Sequence, residues 1–136
     1  MRAKPFLLVA GYALAAAALP AAAHHSRAAT YDPAERVTLT GTVSKLEWRN
    51  PHIWVFFEVQ DDAGATTSWA CEGGAPNALF RRGWRPDSLQ PGDEITLEGE
   101  KARNGTPHCN MRNVTLADGT RVFAGDAERE AGQAGR

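Results

Sequence analysis

Polar and apolar residues alternate with a period of two along an early stretch of the chain. Between residues 36 and 48, Val37, Leu39, Gly41 and Val43 fill alternate positions, and threonine or serine stands between them. This spacing is typical of a half-buried β-strand, and β-branched residues favour strands. A glycine inside such a run predicts a bulge or a sharp coil. The pattern therefore predicts a long first strand.

Further strands follow, and one short helix interrupts them. Aromatic and β-branched residues mark the strands, and the turn sequences Asp-Asp-Ala-Gly, Asn104-Gly105 and Asp118-Gly119 lie between them. In the helical segment, a proline stands at the start and Gly83 at the C-terminal cap position. The predicted elements are strands at 52–59, 66–72, 94–101 and 111–116, a short helix within 73–84, and a final hairpin to Val122 and Phe123.

The order of these elements predicts the fold class. Three strands, a short helix and two more strands indicate an all-β domain, a small OB-like five-stranded barrel with one short helix between strands 3 and 4. A small β-sandwich is the alternative. In such a barrel the third and fifth strands are parallel neighbours, yet Cys71 lies late in one and Cys109 early in the other. A disulfide between them needs a sheared register or closure through a loop, unless one of the two predictions is wrong.

Residues 1–23 have the three parts of a secretory signal peptide. Two basic residues precede an apolar run that ends at Leu19, and Ala21-Ala22-Ala23 fits the small-residue cleavage rule. The run is shorter than the roughly 20 apolar residues that a membrane-spanning helix needs. We therefore expect a soluble chain, exported to the periplasm or secreted beyond it, with no membrane insertion after the signal is removed.

The remaining chain divides into an arm, one domain and a tail. Residues 24–35 are small and polar, with the turn signal Asp32-Pro33, and are expected to form an irregular N-terminal arm. Residues 36–125 hold all the predicted strands and make one β-barrel domain, because a chain of this length buries one modest core. Residues 126–136 consist of alanine, glycine and polar or charged residues, so we expect a disordered tail.

The charge balance after export argues against one class of partner. Removal of residues 1–23 takes two of the 15 basic residues and none of the 16 acidic residues, which leaves a net charge of about minus three. Nucleic-acid binding requires a basic face that neutralises phosphates. We therefore expect no nucleic-acid partner.

The two cysteines are interpreted as a structural pair. Cys71 and Cys109 are the only cysteines in the chain, and an exported protein meets an oxidising compartment. Two cysteines in that setting predict one disulfide between them.

All four histidines follow the predicted cleavage site, and two of them stand next to it. A cut after Ala23 gives His24 an α-amine beside its imidazole, and these two nitrogens chelate copper. A second imidazole, from His25 or His52, completes a nitrogen set that suits Cu(II). A cut one residue earlier places His25 third, which also binds Cu(II) or Ni(II). The alternative is a polar arm that holds no metal.

His52 is expected at the rim of the barrel. Asn50-Pro51 forces a turn or bulge just before a strand, which places His52 at the rim, between Trp48 and Trp54 in sequence. Glu47 and Glu72 could reach the same end. A metal ligand, a group that stacks on a bound molecule and a capping side chain all remain open for His52.

Tryptophan and arginine residues suggest a second kind of site. OB-type barrels bind extended polymers by stacking rings on aromatic side chains, and arginine adds charge and planar stacking. Core packing is the alternative, and it is the expectation for the strand residues Trp54 and Trp69. The candidate ligand- or partner-binding residues are Trp48, Trp84, Arg81 and Arg82.

No catalytic motif emerges from the sequence. The chain has no nucleophile elbow, no HExxH motif and no phosphate-cradling glycine loop. Paired acidic residues occur only in turn contexts, where a solvated loop explains them. We therefore expect that the protein is not an enzyme.

An ordered set of motifs resembles a known family. The set is HHS at 24–26, YDP at 31–33, VTLTGTV at 37–43, EWRNPH at 47–52, GW at 83–84, PGD at 91–93 and VTLADGTRVFAG at 114–125. It is similar to an uncharacterised family of small exported bacterial proteins, catalogued as a domain of unknown function, over nearly all of residues 24–125. The resemblance implies export and brings no activity.

Two functions follow from these patterns. The first is an exported periplasmic binding protein that binds Cu(II) through His24 and His25, with His52 as a further ligand. Copper is the only cofactor that the sequence suggests. The alternative is a metal-free OB-type interaction module that binds a protein or glycan partner. A metal ion or an envelope protein is the expected partner.

Overall fold

About half of the described part of the chain is β-strand, and little of it is helix. The computed structural model describes residues 27–123 and 125, so the predicted signal peptide, His24, His25 and the predicted tail lie outside the described residues. Residues 27–30 are helical and lead directly into the first strand. The elements are β1 (Tyr31–Glu47), β2 (Trp54–Gln60), β3 (Thr66–Glu72), α1 (Pro76–Arg81), β4 (Glu94–Ala102), β5 (His108–Leu116) and β6 (Arg121–Phe123).

Five of these strands close into a ring. The sheet order is β3-β2-β1-β4-β5-β6, with antiparallel neighbours throughout, and β3 also pairs with β5 in parallel. That additional pairing closes the sheet, while β6 adds a short hairpin to β5. The predicted all-β class is confirmed, as are five strands in a small barrel with one short helix between the third and fourth strands.

β1 has the predicted alternation, but its irregularity lies elsewhere. The residues at Val37, Leu39 and Val43 are at least partly buried, and the threonines between them are exposed. A Cβ on Gly41 would collide with the backbone carbonyl oxygen of Glu58, so glycine permits a close approach of β1 to β2 there. The shift in register with β2 falls later, between Val43 and Lys45.

The expectation of an irregular arm is wrong for residues 31–35. β1 begins at Tyr31, which pairs with Ala102 of β4, and the register then shifts before Arg36. The predicted turn at Asp32-Pro33 falls within that shift. Arg103 holds the segment in place, because its backbone N–H donates to the Thr30 carbonyl and its guanidinium contacts Asp32 at 3.0 Å. The end of β4 therefore captures residues that local sequence alone marks as a turn.

The core lies inside the ring, and α1 and the chain after it supply three of its residues. Leu79, Trp84 and Leu89 are at most 2% exposed and join the inward residues of all five barrel strands. The strand residues of this core are Val43, Val55, Phe57, Cys71, Ile95, Leu97, Cys109, Met111 and Val114.

A short seam joins β3 to β5 and contains the disulfide. We define the seam as the three parallel residue pairs Ala70–His108, Cys71–Cys109 and Glu72–Asn110. The two cysteines are bonded, with their Cα atoms 4.5 Å apart. The predicted disulfide is confirmed, and the sheared register resolves the conflict, because the end of β3 pairs with the start of β5. Closure of a loop of 38 residues stabilises such a domain by about 2–5 kcal/mol.

Candidate functional site

The outer face of the seam carries a polar cluster. Side chains alternate across a strand, and Cys71 and Cys109 point inward and are 0% exposed. The next residue on each strand, Glu72 and Asn110, therefore points outward. We define the polar cluster as Tyr31, His52, Glu72 and Asn110.

Glu72 holds the cluster together with both of its carboxylate oxygens. Its Oε1 lies 2.5 Å from Nδ1 of His52, and its Oε2 accepts a hydrogen bond of 2.8 Å from the Tyr31 hydroxyl. The Asn110 side-chain amide donates to the Glu72 backbone carbonyl at 3.2 Å. The side chains of His52 and Glu72 are only 26% and 14% exposed. Tyr31 and His52, from separate parts of the chain, thus meet at one partly shielded carboxylate, and Asn110 holds the backbone of the same residue.

Tyr31 acts in this cluster as a hydrogen-bond donor. Burial raises the pKa of Tyr31 well above its usual value near 10, and the hydrogen bond to Glu72 and the charge of Glu72 raise it further. The positive charge of Arg27 offsets part of that rise in pKa. Tyr31 therefore remains protonated at neutral pH and fixes one oxygen of Glu72.

The chain around His52 is held by β-type contacts to the residues after β3. The Asn50–Pro51 peptide is cis. Ile53, fully buried, donates to the Gly74 carbonyl at 3.1 Å and accepts from the Gly73 N–H at 2.9 Å. These contacts place the preceding residue, His52, beside Glu72 at the end of the barrel. This is the end that the sequence predicted for His52, and it brings Glu72 to the same place.

The Glu72 contact determines which nitrogen of His52 remains for a ligand. A carboxylate at Nδ1 leaves Nε2 as the second ring nitrogen. Metal-bound histidines commonly have this arrangement, with one nitrogen on the metal and the other on a carboxylate. Within residues 27–123, no group of three or more His, Cys, Asp or Glu side chains is arranged to hold a metal ion. Of the two histidines among the described residues, His52 contacts a carboxylate through Nδ1 and His108 contacts Thr106, and His24 and His25 lie outside the described residues.

The expected stacking surface differs from the structure at Trp84. α1 ends at Arg81, and Gly83 has a positive φ of 98° that turns the chain back. The Trp84 N–H then donates to the Leu79 carbonyl at 3.0 Å, and its side chain is only 2% exposed. Trp84 is a core residue, so the prediction of an exposed stacking ring there is wrong. Arg81 and Arg82, by contrast, are exposed.

The environments of the other aromatic residues can also be compared with the expectations. Trp48 is half-buried and packs against the core. Phe80 of α1 is 51% exposed, and the Arg85 guanidinium lies 3.9 Å from its ring centroid. Trp54, expected in the core, stands on the outer face of β2, with its ring 6.5 Å from that of His108 and nearly perpendicular to it. Trp69 is half-buried against the core, in line with expectation.

The comparisons with known proteins identify a family without a known function. A family model described as a family of unknown function (DUF6152) matches residues 12–111, and the chain belongs to this family. Neither the comparison with curated proteins nor that with solved structures finds a significant match. Among the described residues, no helix is both long enough and apolar enough to cross a membrane.

Proposed function

We propose that this protein is an exported binding protein that holds Cu(II). The ligands are the nitrogens of the mature N-terminal histidines, His24 and His25, together with Nε2 of His52. The observation that carries the proposal is the Glu72 carboxylate on Nδ1 of His52, 2.5 Å away. Neutral imidazole nitrogens in a tetragonal set are the ligands that Cu(II) prefers.

The polar cluster supports a preorganised ligand rather than a loose surface histidine. Carboxylates behind a ligating histidine fix its tautomer and orientation, and their loss weakens metal binding about 10–100-fold. Here the carboxylate is itself held by the Tyr31 hydroxyl at 2.8 Å. His52 therefore needs little further ordering when a metal binds.

The path of the chain supports participation of the N-terminal histidines. Residues 27–30 lead into Tyr31, which contacts Glu72, and the charge of Arg27 acts on Tyr31. His25 is two residues before Arg27, and two extended residues span at most about 7 Å. The short distance along the chain between these histidines and Tyr31 supports their participation as ligands together with His52.

Export supports the same function. Cleavage of the predicted signal peptide after Ala23 creates the α-amine that chelates with the His24 imidazole. The Cys71–Cys109 disulfide is of the kind that persists in oxidising compartments. The periplasm is the proposed location.

The first experiment is native mass spectrometry of the exported, purified protein with and without one equivalent of Cu(II). The expected mass corresponds to a chain that starts at His24 and retains one copper against a modest competing chelator. A variant with both His24→Ala and His25→Ala should lose the metal to the chelator. Copper retention by that variant, or a chain with a different start that binds no copper, would refute the proposal.

A second experiment tests His52 against a matched histidine. His52→Ala should weaken Cu(II) binding at least about tenfold and remove one nitrogen from the ligand set in electron paramagnetic resonance spectra. His108→Ala is the control, because His108 is also partly buried but contacts Thr106 through Nδ1 at 2.9 Å rather than a carboxylate. Equal effects of the two substitutions would contradict a specific role for His52.

One surface favours the alternative, a metal-free interaction module. Phe80 is 51% exposed, with Arg81 at the end of α1, Arg82 at the C-cap and Arg85 against its ring. Exposed aromatic and arginine side chains are enriched at binding hot spots. Phe80→Ala should then abolish capture of an acidic envelope protein by the immobilised chain, while Arg121→Ala, another exposed arginine, should not. Unchanged capture by Phe80→Ala would exclude this surface.

A further inference from the structure

The second strand does not follow the alternation of a half-solvated sheet. Val55 and Phe57 point inward and are 0% exposed. Trp54 and Phe56 therefore point outward, where they remain partly exposed. An antiparallel sheet with one solvated face normally places polar residues at such positions. Two large aromatic rings side by side on the outer face are therefore unusual.

The neighbouring strands extend these rings into a surface. Across β3, Phe56 pairs with Ala70, whose side chain is small, and Ala70 pairs with His108 of β5. The His108 ring stands at 84° to the Trp54 ring. We call Trp54, Phe56, Ala70 and His108 the aromatic platform. It runs over three strands of the barrel, and its two largest rings stand two residues apart, about 7 Å along the strand.

The charges around the platform exclude polyanions as the bound molecule. Lys45 and Arg49 both contact Glu47, at 2.5 and 2.9 Å. Glu58, on the same face of β2, accepts the Ser68 hydroxyl proton, with Oγ 2.7 and 2.9 Å from its two carboxylate oxygens, and brings a second negative charge. Glu72, which pairs directly with Trp54 across β3, is a third carboxylate beside the platform. Two cations thus stand against three carboxylates, so phosphate, sulfate or uronate groups would meet a net negative charge.

We propose that the aromatic platform binds a neutral oligosaccharide. The flat apolar ring of Trp54 suits the C–H face of a sugar unit, because aromatic side chains combine a large apolar area with little loss of conformational entropy. The Lys45 ammonium lies over the Phe56 ring, 5.7 Å from its centroid, so Phe56 adds apolar area beside Lys45 rather than an open ring face. The Glu58 carboxylate accepts hydrogen bonds from sugar hydroxyls at one side. On the other side, His108 presents Nε2, since its Nδ1 contacts Thr106. This inference does not depend on copper binding.

The test is isothermal titration of the exported protein with four probes. Cellohexaose and chitohexaose are neutral, and a hexamer of galacturonate and a thymidine octanucleotide are polyanions. At least one neutral hexasaccharide should bind, and Trp54→Ala should weaken that binding about tenfold or more. Phe56→Ala should weaken it less. Arg121→Ala, which changes an exposed side chain outside the platform, should leave it unchanged.

The opposite results would overturn the proposal. They are no binding of either neutral probe, equal or tighter binding of a polyanion, or binding that both platform variants leave intact. Far-UV circular dichroism checks that each variant folds. If Trp54→Ala does not fold, two other measurements decide. Phe56→Ala must weaken sugar binding, and the sugar must shift the Trp54 indole N–H resonance of the wild-type protein. An unshifted resonance refutes the site.

Discussion

The seam between β3 and β5 consists of three residue pairs, and its two faces differ completely in chemistry. On the inner face, Cys71 and Cys109 are bonded and fully buried. On the outer face, Glu72 and Asn110 join a polar cluster with His52 and Tyr31. The inner face closes the barrel, and the outer face presents a partly shielded carboxylate.

This difference shows how a small barrel accommodates a polar site. A charged group is costly inside an apolar core unless it is paired. Placing Glu72 on the outer face keeps it out of the core, and the adjacent disulfide keeps the two strands together beneath it. The stability of the seam and the chemistry of the cluster can therefore be perturbed separately, which the following substitutions exploit.

The largest effect on stability is expected from removal of the disulfide on the inner face of the seam. A Cys71→Ala/Cys109→Ala variant should lose about 2–5 kcal/mol of the free energy of unfolding, because the loop that the disulfide closes becomes unconstrained. Urea unfolding monitored by circular dichroism measures the loss. The reduced wild-type protein is the control and should show a loss of similar size. A loss below about 1 kcal/mol would mean that hydrogen bonds and packing alone hold the seam.

An intermediate effect on stability is expected from a substitution on the outer face of the seam. Tyr31→Phe removes the hydrogen bond to Glu72 and should cost about 1–3 kcal/mol of unfolding free energy at pH 7. The raised pKa of Tyr31 also sets the pH dependence. Above about pH 10 the unfolded wild-type chain loses the Tyr31 proton before the folded chain does, so wild-type stability contributed by Tyr31 falls as the pH rises.

Phenylalanine has no such proton, and the stability difference between the two proteins should therefore shrink above about pH 10. Urea unfolding at pH 7, 9 and 10.5 measures it. The difference is expected to be the same at the two lower values and smaller at the highest. A difference that grows at high pH would contradict the role of Tyr31 as a buried donor.

The smallest effect is expected outside the seam. Arg121 and Glu98 form an ion pair at 2.6 Å, with side chains 57% and 40% exposed. Arg121→Ala should change the unfolding free energy by at most about 1 kcal/mol, because exposed ion pairs are weak. Thermal unfolding measures the change and gives the baseline for the seam variants. A larger loss would show that β6 contributes more to the barrel than its three residues suggest.

The sequence predicted the fold well where a local pattern decides the structure. The alternation in β1, the bounds of β3 and the order of the elements all follow from local periodicity and turn residues. Residues 31–35 were mispredicted because their strand pairing comes from β4, about 70 residues later in the chain. The register that joins Cys71 to Cys109 also depends on closure of the whole barrel, and the sequence left it open.

The candidate site was predicted only in part. The turn at Asn50-Pro51 indicated the end of the barrel where His52 lies, and Glu72 was named as a residue that could reach it. Tyr31 was missed, because no local signal links it to a carboxylate 41 residues away. Trp54 and Trp84 were assigned to the wrong environments, since an uninterrupted apolar run in β2 hides its alternation, and the turn at Gly83 redirects Trp84 inward.

The alternation of side chains at the seam makes the structure sensitive to whether an odd or an even number of residues is inserted there. Glu72 and Asn110 each follow a cysteine by one position, so each pair of neighbours sends one side chain into the barrel and the other out. Insertion of a single residue between Cys71 and Glu72 would turn the carboxylate toward the core, whereas insertion of two would restore its direction. Length changes in this segment are therefore tolerable only in even steps, a constraint that acts on the number of residues rather than on their chemical type.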